Sequence, residues 1–201
     1  MKMFLIRHGQ SMQNTKENYT INLPDPKVYL TEKGKEEARL AGEFLKEYLK
    51  TKGISISNAV MWVSPYLRTR ETAEIINSII EVPKVKEDIA LMEQQFGLFS
   101  NKEQETMRQM FPEQSELYNS FIQNGCKFYA RIPHGESALD VALRTRQFLD
   151  RVEREKEDPL FIISHEATIK TIVMNIFHYS PEWYNDELST RNCSIRLIES
   201  N

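Results

Sequence analysis

An imidazole and a guanidinium stand side by side in Arg7-His8-Gly9, directly after the apolar run Met3-Phe4-Leu5-Ile6. That run predicts a short buried strand, so the pair falls where a strand stops and the backbone turns. In an open α/β sheet, ligands bind at the carboxyl ends of the strands. A histidine there can attack phosphorus, and an adjacent arginine can hold phosphoryl oxygens. Three residues recur by chance in many proteins. Their weight here comes from Arg68, Glu93 and His165, each at or just after the end of a predicted strand. Each residue also has a plainer reading. A strand-end histidine can be a hydrogen-bonded core residue, Arg68 can brace a helix start with Ser64, and isolated acids usually lie on the surface.

Phosphoryl transfer needs positioning and charge neutralisation more than elaborate covalent machinery. His8 would attack in line to give a phosphohistidine, with its other ring nitrogen held by a backbone carbonyl. Arg7 and Arg68 offer forked donors that lysine cannot supply. His165, if protonated, adds a third cationic donor. Glu93 could protonate the leaving oxygen and then activate water, one group working in both directions. The usual metal-ligand spacings do not occur in the sequence, so the expectation is a metal-free, cofactor-free site.

The elements that must position these groups follow from periodicity. Met3–Ile6, Ala59–Val63, Val85–Leu91, Leu160–Ile163 and Ser194–Ile198 read as strands. Residues 10–29 read as a loop emerging from the site. Thr31 is the expected N-cap of a helix to about Lys50, with Leu30 as its staple. Leu67–Ile80 and Ala167–Phe177 read as helices, and Ser137 with Asp140 caps a long helix to about Lys156. Arg70 is expected to pair with Glu74, four residues on. Residues 94–128 are mixed and amphipathic, broken by Pro112 and Gly125, and read as an insertion of one or two helices covering the site. Alternating strands and helices predict an α/β three-layer sandwich with a mostly parallel central sheet.

With 201 residues, 40% of them hydrophobic, the chain suits one filled core and a single domain. Its net charge of −3 offers no general attraction to nucleic acid or an anionic membrane, so any phosphorylated ligand must be held by a local arginine cluster. Cys126 and Cys193 form no Cys-x-x-Cys pair. With no signal-like start or membrane-length apolar run, they suggest a reducing, cytoplasmic setting. The sequence is silent on oligomeric state.

Arg7-His8-Gly9, Ser64-Pro65-Tyr66-Leu67-Arg68-Thr69-Arg70-Glu71-Thr72-Ala73, Glu93 and Ser164-His165 resemble, in that order, the histidine phosphatase superfamily, the phosphoglycerate-mutase-like family (branch 1). Leu30-Thr31-Glu32-Lys33-Gly34 is similar to that family's first-helix opening, and the resemblance spans nearly the whole chain. It implies a phosphoglycerate-mutase-like fold, with His8, Glu93, His165, Arg7 and Arg68 catalytic. Glu93-Gln94-Gln95-Phe96-Gly97 looks like the family's acid-bearing segment. By the same resemblance Asn14, and more weakly Ser11, would reach the phosphate. Pro133-His134-Gly135-Glu136-Ser137 resembles the segment before the family's long helix, which would bring Glu136 toward the pocket.

Two departures matter. Glu166 follows His165 where the family usually has Gly. Its carboxylate could raise the proton affinity of His165 or repel a second anionic group on the substrate, while its amide could still bind phosphate. Mutases using a bisphosphorylated cofactor carry an Arg-x-Tyr-Gly-like segment where this chain has Gln94-Gln95-Phe96-Gly97-Leu98-Phe99. The expectation is a metal-independent phosphomonoesterase acting on a small phosphorylated substrate or a phosphoprotein. A phosphoglycerate mutase and a catalytically weak phospho-ligand-binding module are the alternatives.

Overall fold

The computed structural model describes residues 1–15, 23–100 and 102–199. Part of the loop expected at residues 10–29, namely 16–22, lies outside the described residues, as does residue 101 of the insertion.

Strand β1 (Lys2–Arg7) joins β2 (Val60–Val63), β3 (Lys84–Glu87), β4 (Leu160–Ser164) and β5 (Ile195–Glu199) in one sheet, with β4 at its centre. The strand order is β3-β2-β4-β1-β5, parallel throughout except for β5, which runs antiparallel to β1. Alternate side chains explain why β1, β2 and β4 are apolar at almost every position: both sheet faces are covered. Met3, Leu5, Trp62, Leu160 and Ile162 meet Phe148, Leu149, Val152, Ile169 and Ile172 on one face. Phe4, Ile6, Met61, Phe161 and Ile163 meet Ala41, Leu45, Ala73, Ile76 and Ile80 on the other. The helices behind these layers are α1 (Glu32–Thr51) and α2 (Leu67–Ile80) on one side, α5 (Ala138–Glu155) and α6 (Glu166–Phe177) on the other.

Local sequence explains the helix starts. The Thr31 side chain accepts from the Gly34 amide at 3.0 Å, and Ser137 and Asp140 form a reciprocal capping box. Between β1 and α1 the chain comes very close to itself: a Cβ on Gly9 would lie 2.3 Å from Gly34 O, and one on Gly34 would lie 2.0 Å from Gln10 O. Only glycines permit that crossing, which docks the loop after His8 onto the start of α1.

Two local expectations are corrected. The third strand ends at Glu87 rather than Leu91, because the Asp88 side chain accepts from the Ala90 amide at 2.8 Å and starts a 3-10 turn over Ile89–Leu91. Arg70 pairs with Glu87 of neighbouring β3, at 2.7 and 2.6 Å, instead of with Glu74. Within residues 94–128 two helices form, α3 (Gln104–Met110) and α4 (Pro112–Gln123). A last short helix, α7 (Pro181–Asp186), precedes β5. No helix among the described residues is long and apolar enough to cross a membrane.

Candidate active site

Register assembles the site. In the parallel β1–β4 pair Arg7 stands opposite Ser164, so the next residues, His8 and His165, leave adjacent strands together. Their ring centroids lie 5.1 Å apart. Ser64 directly follows β2, on the other side of β4, and is bonded to His165, Oγ to Nε2 at 2.8 Å. Arg68 is the second residue of α2, is 1% exposed, and stacks over the Tyr66 ring at 4.8 Å. Three stretches of chain far apart in sequence therefore deliver their polar groups to one end of the sheet, where the strand ends form a crevice.

A cavity of about 340 Å³ opens there, lined by Arg7, His8, Asn14, Arg68, Glu93 and Glu166, among others. The backbone carbonyl of Gly9 lies 2.7 Å from His8 Nδ1. A carbonyl can only accept, so Nδ1 carries the proton and the Nε2 lone pair is left available. Burial, with Arg68 and then Arg7 adding repulsion, holds the His8 imidazole well below the ordinary value; the Gly9 contact opposes this. His165 is lowered in the same way, by burial first and then by Arg68 and His8. In the unliganded protein it is therefore a neutral hydrogen-bonding ring rather than a third cation. Glu166, which the sequence allowed to raise its proton affinity, is not among the main contributors. It pairs with Arg7 at 2.9 Å and accepts from Ser189 at 2.5 Å.

Both arginines thus rest against carboxylates. Arg7 Nη1 also donates to the Thr190 carbonyl, and Arg68 Nη1 donates to the side chain and carbonyl of Asp25, at 2.8 and 2.9 Å. Among the described residues, Arg7 Nε, Arg68 Nε and His165 Nδ1 are buried without a hydrogen-bond partner. Each such group costs about 1–3 kcal/mol when left unmade. Three of them around one histidine define a place for an oxygen-rich anion.

The Glu93 carboxyl faces the same cavity. Burial pushes it above the usual carboxylate range, opposed by a bond from the Gln94 amide and by Arg68 and Arg7. Its backbone is held by Arg144, whose guanidinium donates to the Glu93 and Ala90 carbonyls and pairs with Glu136. Glu136 does not line the cavity. It accepts from the Gln95 amide at 3.0 Å and so fixes the segment that carries Glu93. Ser11 is also one layer back, fully buried, donating through its amide and hydroxyl to Asn14 Oδ1. With Oδ1 so occupied, Asn14 presents its amide nitrogen as the donor for a ligand.

Sequence reasoning missed Asp25, Arg144, Lys127, Lys170 and Tyr184. Nothing in their spacing distinguishes them from solvated loop and helix residues. Asn192 was also unforeseen, and donates to the His8 carbonyl at 3.0 Å from a loop almost the whole chain away. No grouping of His, Cys, Asp and Glu among the described residues could hold a metal ion.

The two buried imidazoles make stability depend on pH. Their folded values lie well below the ordinary 6.5, so the unfolded chain takes up protons first as the pH falls. Their contribution is complete above 6.5 and is lost progressively below it, down to the depressed folded values. Glu93, raised from 4.5, acts in the opposite sense, with stability lost as the pH rises through its raised value. The wild-type thermal midpoint should therefore fall more steeply below pH 6.5 than that of His165→Gln, in which Glu93 is unchanged. Parallel curves for the two proteins would show that His165 is not held neutral.

A buried histidine and two arginines at the carboxyl edge of an α/β sheet are an arrangement suited to a phosphoryl group. The family model of the histidine phosphatase superfamily, branch 1, matches residues 3–201, and the chain belongs to that family. It is 31% identical over 216 residues to a phosphoglycerate mutase-like protein of Arabidopsis thaliana, AT74H, covering 98% of this chain and 73% of that one. It is also 31% identical over 186 residues to a 2,3-bisphosphoglycerate-dependent phosphoglycerate mutase of Gloeobacter violaceus, covering 90% and 77%. Among solved structures, the alpha-ribazole phosphatase of Shigella flexneri superposes with a TM-score of 0.77 at 22% identity, over 100% of this chain and 91% of that one. A mycobacterial glucosyl-3-phosphoglycerate phosphatase does so with a TM-score of 0.75 at 18% identity, over 98% and 90%. These likenesses show a shared fold, in a family whose members are phosphatases and mutases.

Proposed function

We propose that the chain is a metal-independent, cytoplasmic phosphomonoesterase working through a phosphohistidine on His8. The observation that carries this reading is the set of unsatisfied buried nitrogens on Arg7, Arg68 and His165 beside a histidine whose Nε2 lone pair is free. A phosphate ester would supply the missing acceptors. Its oxygens would take bonds from both guanidinium groups, from His165 Nδ1 if Ser64 donates to Nε2, from Asn14, and from the amides at the start of α6.

His8 Nε2 then attacks phosphorus in line while the ester P–O bond breaks. Glu93, whose neutral form burial favours, gives its proton to the departing oxygen. The resulting carboxylate removes a proton from water as that water attacks phospho-His8. The N–P bond breaks, inorganic phosphate leaves, and His8 and Glu93 return to their starting states. Every charge that develops is met by groups already in place, and no step calls for a metal.

The mutase reading is favoured by the names of the relatives and opposed by Gln94-Gln95-Phe96, where bisphosphate-dependent mutases carry an arginine and tyrosine. The two reactions differ in whether water reaches the phosphoenzyme. Hydrolysis of para-nitrophenyl phosphate and isomerisation of 3-phosphoglycerate, assayed in parallel with and without EDTA, should show hydrolysis that survives chelation and no mutase signal. Mutase turnover would replace the proposal, EDTA sensitivity would overturn its metal-free chemistry, and silence in both would favour a binding module.

Glu93→Gln tests the proton donor. It should slow alkyl phosphates, whose leaving groups need a proton, by about 10²–10⁴ and para-nitrophenyl phosphate far less. Equal losses on both would remove Glu93 from the acid role.

A further inference from the structure

Among the described residues two carboxylates line the cavity, Glu93 and Glu166, and only Glu93 has a part in the chemistry derived above. Glu166 is the first residue of α6, directly after His165, so its carboxylate stands where a helix start favours negative charge. A phosphate bound beside His165 would draw on the same groups, Arg7 and the α6 amides. Glu166 already holds Arg7 Nη1 at 2.9 Å, and its other oxygen accepts from the Ser189 hydroxyl. Neither side chain of the pair is sealed from water: Arg7 is 14% exposed and Glu166 27%. The pairing also uses Arg7 incompletely. Nη1 serves both Glu166 and the Thr190 carbonyl, whereas Nε is buried with no hydrogen-bond partner. A phosphoryl group, with three oxygens, can reach Nε and an Nη together and so binds this guanidinium better than the carboxylate does.

We propose that Glu166 is a resident counter-anion, which holds Arg7 while the site is empty and competes with phosphate for it. An incoming phosphoryl group takes Arg7 over and Glu166 swings away. After hydrolysis its return to Arg7 favours the departure of inorganic phosphate. The part in product release rests on the phosphatase reading, whereas the contest for Arg7 does not. A released carboxylate has water and a cation to turn to, because Lys170 lies four residues on, one turn along the same face of α6. Burial and then the charge of Lys127 lower the proton affinity of Lys170, while the charges of Glu166 and Glu187 raise it, so a closer carboxylate would be favourable there. The glycine usual in the family at this position has no charge with which to compete. Glu166 therefore sets how tightly this chain keeps its product.

The probe is inorganic phosphate, titrated by calorimetry into wild type, Glu166→Gln and Ser189→Ala after thermal melts have shown each to be folded. Glu166→Gln should bind phosphate about tenfold more tightly than wild type, because the competing charge is gone and the side-chain shape is kept. Ser189→Ala keeps every charge but removes the bond that steadies Glu166 against Arg7, and should tighten phosphate by about threefold. In hydrolysis of para-nitrophenyl phosphate, the gain in Glu166→Gln should appear in KM and in product inhibition by phosphate rather than in kcat. Phosphate bound equally well or more weakly by Glu166→Gln would overturn the exchange and make Glu166 a support for Arg7. A gain in Glu166→Gln with none in Ser189→Ala would overturn it too, reducing the effect to one charge near the cavity. No hydrolysis by any of the three proteins, with phosphate affinities in the expected order, would overturn the phosphatase and keep the contest for Arg7.

Discussion

His8→Ala should hydrolyse no phosphomonoester above background and should form no acid-labile phosphoenzyme in a rapid-quench experiment with labelled substrate. The size of the effect follows from the role: the imidazole forms the covalent bond, and among the described residues His8 is the one histidine lining the cavity beside both arginines. His8 is 3% exposed and its ring contributes little to the apolar layers, so the variant should fold. It should still bind inorganic phosphate, because Arg7, Arg68 and His165 remain. Retained hydrolysis in the folded variant would refute the covalent mechanism, and loss of phosphate binding along with activity would assign His8 to binding alone.

Arg68→Ala should cost about 10²–10³ in kcat, roughly 3–4 kcal/mol, by analogy with the loss of one preorganised donor. Arg68→Lys should recover little of this, since an ammonium cannot offer the guanidinium fork. The pH profile separates this role from simple bracing. After burial, Arg68 is the next contributor to the lowering of the His8 imidazole, so removing it should raise that value. Neutral His8 is the nucleophile, and the acid limb of kcat/KM should then move to higher pH. An unmoved limb with a normal kcat would mean that Arg68 serves the Asp25 loop and not the phosphate. Asp25 adds a complication that the structure itself explains: it currently occupies Arg68 Nη1, so a ligand must share or displace it.

Much of this architecture was legible locally. Unbroken apolar runs at residues 3–6 and 160–163 mark strands covered on both faces, and Thr31 and Ser137 mark helix starts through short-range bonds that need no tertiary context. Arg7-His8, Arg68 and His165 were legible for the same reason: each follows a strand end by one to five residues, and topology sends all parallel strand ends the same way. Arg70 was misjudged because an i,i+4 neighbour is the only partner a helix offers by itself, while the tertiary fold brings in Glu87 of β3 as a better-placed one. The third strand was drawn too long because hydropathy continues through Ile89–Leu91, and only the Asp88 side chain ends it.

The sequence by itself therefore determined the sheet-and-helix order, through periodicity, the family, through its motifs, and which polar residues gather at the strand ends, through positions fixed relative to those ends. Only the tertiary structure decided which carboxylates neutralise the arginines, that His165 is neutral, that Glu136 and Ser11 hold other site residues in place without reaching the cavity, and that Lys127 and Lys170 share it. Those facts depend on contacts between segments tens to nearly two hundred residues apart and on how much water each group loses. Burial and long-range charge leave no periodic trace in the chain.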